Sequence, residues 1–76
     1  MSWNERISGD PNVCQGKPCI KGTRVMVSVI LDNLAAGESH EEIMRGYHIG
    51  EEDIHAVLDY AAGLARDRVV SLPTGA

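Results

Sequence analysis

The spacing of apolar and polar positions divides the chain into a turn-rich front and a helical rear. Val27, Ile30, Leu31, Leu34 and Ala35 fall at i, i+3, i+4, i+7 and i+8, one apolar stripe of an α-helix. A first helix is therefore predicted over about residues 27–36, with Gly37 placed to end it in the left-handed conformation. Ser39-His40-Glu41-Glu42 has the form of a capping box, the serine oxygen accepting from the third helical amide while the glutamate reaches back. A short second helix is predicted over about 40–46, with Ile43 and Tyr47 on one face and Gly46 softening its end. Gly50 then precedes Glu51, Glu52 and Asp53, acids that favour a helix N-terminus through its positive dipole end. Ile54, Val57, Leu58, Ala61, Leu64 and Ala65 give the third stripe, predicting a helix over about 51–68. Ser71 to Ala76 includes Pro73 and Gly75, cannot continue a helix, and makes residues 69–76 a loose tail.

The front follows a shorter rhythm. Ile7 begins a candidate strand and Gly9-Asp10-Pro11-Asn12 a turn. Gly16 and Pro18 are turn-formers, Cys19-Ile20 is a β-prone pair, Gly22-Thr23 a second turn, and Val25-Met26-Val27 another apolar run. The expected element is a compact β-turn-β unit within residues 5–26. The fold class is α+β, mainly α: a short N-terminal β element followed by a three-helix bundle, in a single domain over 1–76. The last two helices, joined by a few residues around Gly50, have the spacing of a helix-turn-helix-like pair. An ordinary helical hairpin has the same spacing.

Composition sharpens this picture in two ways. With 76 residues, no Phe, and Trp3, Tyr47 and Tyr60 as the aromatics, the core must be aliphatic and is marginal in size. A homodimer or higher oligomer is the expected remedy. The chain has no run of 18 apolar residues and no signal-peptide pattern, so a cytoplasmic protein with no membrane association is expected. Charge is unevenly placed. Residues 1–36 hold four cations (Arg6, Lys17, Lys21, Arg24) against three acids. Residues 37–76 hold three (Arg45, Arg66, Arg68) against eight. An acidic rear repels nucleic acid and suits a basic protein surface.

Candidate chemistry follows from that asymmetry. In a helix-turn-helix the start of the second helix faces base edges, and here it offers Glu51, Glu52 and Asp53, carboxylates without phosphate anchors beside them. Arg6, Lys17, Lys21 and Arg24 are the better DNA-binding candidates, carried on a β-ribbon or arm. The competing reading has the two lysines solvated and Arg24 paired with Asp10 or Asp32, clamping the turn element onto the first helix. Thr23 suits a turn cap. Cys14 and Cys19 could face each other across a hairpin within disulfide reach, although reduced, ordinary core thiols are expected in the cytoplasm. No metal site is expected, because Cys-x4-Cys lies at the edge of zinc-site usage. No phosphate-cradling loop and no nucleophile–base arrangement can be argued from spacing, so the chain reads as a non-enzyme without a cofactor.

Asp10-Pro11 followed by Gly16-Lys17-Pro18-x-Ile20-x-Gly22-Thr23-Arg24-x-x-Val27, with Leu34-Ala35-Ala36-Gly37-Glu38-Ser39, Glu41-Glu42-Ile43 and Glu51-Glu52-Asp53-Ile54, resembles the short bacterial and archaeal proteins of the "domain of unknown function 433" family. The resemblance covers about residues 7–62. The family usually has Pro where Met26 stands. Its members are regarded as VapB-type antitoxins with a helix-turn-helix fold, so the resemblance implies a toxin–antitoxin role. It further implies a PIN-like ribonuclease toxin as partner and possible operator DNA binding for autoregulation. Arg66, Arg68 and Leu72 are the partner-binding candidates: the arginines to reach acidic metal ligands of such a nuclease, the leucine to anchor by burial. Otherwise the arginines serve the helix dipole and the leucine lies in the loose tail. The alternative function is a stand-alone DNA-binding transcriptional regulator, or a structural domain, without a toxin partner. A redox or metal sensor built on Cys14 and Cys19 is a third.

Overall fold

The computed structural model describes residues 5–67. It holds a two-stranded antiparallel sheet followed by three helices, an α+β fold that is mainly α. Strand β1 (Ile7–Ser8) pairs with β2 (Cys19–Ile20), placing Ile7 opposite Ile20 and Ser8 opposite Cys19. Helix α1 spans Val27–Ala35, α2 His40–Tyr47 and α3 Glu51–Asp67. The expected end of the third helix at Arg68, the tail 69–76 and the candidates Arg68 and Leu72 lie outside the described residues.

The β element differs in detail from the sequence expectation. The run Val25–Val27 forms only an isolated bridge, Met26 opposite Cys19, supported by Ile20 N–H donating to Val25 O at 2.9 Å. Cys14 does not stand across a hairpin from Cys19. It begins a left-handed 3₁₀ turn, Cys14-Gln15-Gly16, with φ of 52°, 56° and 79°. Gly16 N–H donates to Val13 O at 3.1 Å and Lys17 N–H to Cys14 O at 3.0 Å. Both cysteines are free thiols.

Local chemistry sets the helix limits. Met26, at the start of α1, has no side-chain cap, but the Val27 amide donates to Pro18 O at 3.0 Å, so the β element supplies the missing acceptor. The other end is a Schellman closure: Gly37 N–H donates to Leu34 O, Glu38 N–H to Asn33 O, and Gly37 takes a φ of 92°. The predicted capping box starts α2, with Ser39 accepting from the Glu42 amide and the Glu42 carboxylate accepting from the Ser39 amide. The helix ends at His48, which is left-handed (φ 57°), rather than at the softer Gly46.

The core is aliphatic. Ile20, Ile30, Ile43, Ile54 and Val57 are essentially sealed from solvent, with Ile7, Val27, Ile49 and Ala56 around them. Helix α3 packs against α1, α2 and β1, yet its buried residues are Ile54, Ala56 and Val57, all in its first seven positions. The small Ala56, absent from the predicted stripe, faces the core, while Leu58 turns outward at 42% exposure. No helix among the described residues is long and apolar enough to cross a membrane.

Candidate functional site

The turn chemistry of the front pushes its cations outward. Thr23 closes the turn after β2: its hydroxyl donates to Ile20 O at 2.7 Å and accepts from the Val25 amide at 3.0 Å. With Thr23 tied inward, its neighbours Lys21 and Arg24 are exposed, as is Lys17 beyond the left-handed turn. None of the three makes an ion pair among the described residues. They share one surface. Arg24 lines a hollow of about 640 Å³ together with Lys21, Ser8 and Asp10. It also lines a neighbouring one of about 450 Å³ with Lys17, Gln15 and Cys14.

The expected pairing of Arg24 with Asp10 or Asp32 is absent from the ion pairs of the described residues. Asp10 instead accepts from the Asn12 amide at 2.8 Å. Only the Arg24 carbonyl is engaged by a side chain, accepting from Cys14 Sγ at 3.4 Å, while Cys19 Sγ donates to Thr23 O at 3.8 Å. Burial pushes the Cys19 thiol above its ordinary range; the neighbouring Cys14 and Asp10 add to this and Arg24 opposes it. Among the described residues no group of three or more His, Cys, Asp or Glu is arranged to hold a metal ion.

Arg6 occupies a different place from the other three cations. Its guanidinium reaches across to the start of α3, pairing with Glu52 and with Asp53 Oδ1 at 3.2 Å. Asp53 is also the acceptor for the Gly50 amide at 2.9 Å, so one carboxylate caps the helix and holds the arginine. Glu51 accepts from His40 Nδ1 at 2.8 Å, and His55 Nε2 lies 3.7 Å from it. All three acids that open α3 are therefore occupied by partners within the chain. Sequence spacing accounted for them as dipole partners and missed these contacts. Sequence alone makes Arg6 a DNA-binding candidate beside Lys17, Lys21 and Arg24; an acidic helix start is the available signal for its pairing, but sequence gives no distance between positions 6 and 53.

Arg66 is exposed on the last turns of α3, its guanidinium passing 3.9 Å from where a Cβ on Gly63 would stand. On the rear, Asn33 ties α1 to α2, donating to Val29 O at 2.8 Å and to the Tyr47 hydroxyl at 2.9 Å.

A family model described as "Protein of unknown function (DUF433)" matches residues 7–61. The chain belongs to the DUF433 family. No curated protein and no solved structure gives a significant match to it. The DUF433 segment takes in β1, β2, α1, α2 and the first eleven residues of α3. It thus includes Lys17, Lys21 and Arg24, and stops before Leu64 and Arg66.

Proposed function

We propose that this DUF433 chain is a non-enzymatic, cytoplasmic interaction module of the antitoxin type. It neutralises a PIN-like ribonuclease by covering its active face, and as a homodimer in that complex it binds operator DNA. The observation that carries the reading is the division of labour between surfaces: Lys17, Lys21 and Arg24 make no ion pair among the described residues and stand on one face. The acids at the start of α3 are engaged within the chain, Glu52 and Asp53 by Arg6 and Glu51 by a hydrogen bond with His40. Free cations suit a phosphate backbone. An acidic rear with exposed leucines suits a basic protein with an apolar margin. The DNA contact runs through the β element rather than the helix-turn-helix-like pair, since seating α3 in a groove would bring Glu51, Glu52 and Asp53 against phosphates.

Co-expression with the PIN-like product of an adjacent gene tests the first half. The expected outcome is a stable complex with suppressed RNA cleavage. Recovery of the two proteins separately, with cleavage undiminished, would overturn it. The unpaired cations also favour a second reading, a stand-alone DNA-binding regulator. Salt-sensitive operator binding by the isolated chain, lost on changing Lys17, Lys21 and Arg24 to Ala and indifferent to any nuclease, would select that reading.

A further inference from the structure

The second half of α3 is covered on one side only, where Tyr60 packs against the core cluster. After Val57 none of its described residues is buried. The two exposed large hydrophobic side chains among the described residues, Leu58 and Leu64, both lie in this segment. Tyr60 and Leu64 flank a shallow groove against Leu31 and Val27 of α1, so that side of the segment leans on its own chain. The other side carries Leu58, Asp59, Ala62, Ala65 and Arg66, all exposed. At 100° per residue these five positions share an arc of roughly 120°. A stretch of about ten helical residues is marginal in water without packing.

We infer that this face of α3 is a self-association surface, on which a second copy of the chain packs antiparallel about a two-fold axis at Ala62. This deepens the homodimer of the proposed function and rests on it only for self-association, not for the nuclease partner. The face is self-complementary in charge. Asp59 lies three residues before Ala62 and Arg66 four after it, about 4.5 and 6 Å along the axis, on the same edge of the stripe. A two-fold axis through Ala62 sets each Asp59 beside the partner's Arg66, twice per dimer. On the opposite edge the same operation places Leu58 over the partner's Ala65, a large side chain against a small one, while Ala62 at the centre lets the backbones approach. A parallel pairing would instead set Asp59 beside the partner's Leu58 and Arg66 beside the partner's Ala65, leaving both charges without an opposite one. Neither Asp59 nor Arg66 makes an ion pair among the described residues, so both are available. Of the three partner candidates read from the sequence, Arg66 is thereby assigned to the self-interface.

The test is a charge swap followed by sedimentation equilibrium of the full chain, with circular dichroism as the check on folding. Asp59→Arg and Arg66→Asp are each expected to weaken self-association at least tenfold, because each leaves two like-charged contacts. The double variant Asp59→Arg/Arg66→Asp restores association, and so does an equimolar mixture of the two single variants, in which both contacts again join opposite charges. A chain that dimerises with no response to these changes overturns the inference and leaves the homodimer to another surface. A monomer at all concentrations overturns the interface and the homodimer together. Occupation of this face by the nuclease, with no self-association, overturns the interface as well. Failure of the nuclease pull-down alone leaves this interface untouched.

Discussion

Gly22 and His48 both hold left-handed backbone, and they do so for opposite reasons. Gly22 (φ 82°) sits in the turn closed by the Thr23 amide and hydroxyl on Ile20 O, with open space where a Cβ would stand. A side chain there meets no atoms, only the cost of the conformation, so Gly22→Ala is expected to lower stability by about 1 kcal/mol. His48 (φ 57°) carries that cost already, as the residue that ends α2. His48→Gly removes it while loosening the unfolded chain, and a net gain of roughly 0.5 kcal/mol is expected. Urea denaturation of both variants should show opposite displacements of the midpoint with unchanged slope. A loss in His48→Gly would mean that the imidazole contributes something its exposed position does not reveal. Cys14 and Gln15, also left-handed, were beyond sequence reading for the same reason: only glycine advertises positive φ, and the fold imposes it on other residues through contacts that lie elsewhere.

At the scale of elements, legibility follows sequence separation. The capping box of α2 and the Schellman end of α1 join residues three to five apart, so the residue types name the geometry. The ties of Arg6 to Asp53 and of Asn33 to Tyr47 span 47 and 14 positions, and no periodicity encodes them. The capping box also gives α2 a pH dependence. Hydrogen bonds from the Ser39 amide and hydroxyl hold the Glu42 carboxyl below its ordinary value of 4.5, with burial slightly opposing. A depressed folded value means the stabilisation is fully present above that ordinary value and is lost as pH falls through the folded one. The stability difference between the natural chain and Glu42→Gln is expected to be constant near neutral pH and to shrink on acidification below about pH 4.5. Ser39→Ala removes the hydroxyl from the cap and should cost about 1 kcal/mol at neutral pH. A stability difference for Glu42→Gln that stays flat through the acid range would separate the carboxylate from the cap.

The same contrast of near and far separates the two ends of α3. Its apolar stripe was legible as a stripe, but Leu58, Ala61, Leu64 and Ala65 follow Val57, beyond which none of the described residues of α3 is buried. Ile54 is fully buried in the core cluster, and Ile54→Ala is expected to cost about 3 kcal/mol. That is a large share of the roughly 4–11 kcal/mol available to a domain of this length. Leu58→Ala, measured by denaturation at a dilution that disfavours the proposed self-association, should stay within about 0.5 kcal/mol. Leucine in the sequence signals burial somewhere; it does not say in which molecule.

For the molecule as a whole, the uneven placement of charge converts into a measurable salt dependence. The chain is acidic overall, at net −4, so any association with DNA must come from one face. At physiological ionic strength charges further apart than about 8 Å are largely screened, so the acidic rear weakens the approach without preventing contact by Lys17, Lys21 and Arg24. Three cations in each of two protomers, if all meet phosphates, release enough counterions for log Kobs to fall against log salt with a slope of roughly −5. Each Lys→Ala or Arg24→Ala change would remove two contacts from the proposed dimer and should flatten that slope by about 2. Arg6→Ala provides the internal control. It frees Glu52 and Asp53 from their partner, which costs stability by up to about 1 kcal/mol, and should leave the slope nearly unchanged because Arg6 is already committed within the fold. Fluorescence anisotropy with operator duplex across a salt series separates the cases. Equal flattening by Arg6→Ala and Arg24→Ala would mean that ion pairing within the chain does not decide which cations reach DNA, and the division of surfaces proposed for this protein would fail.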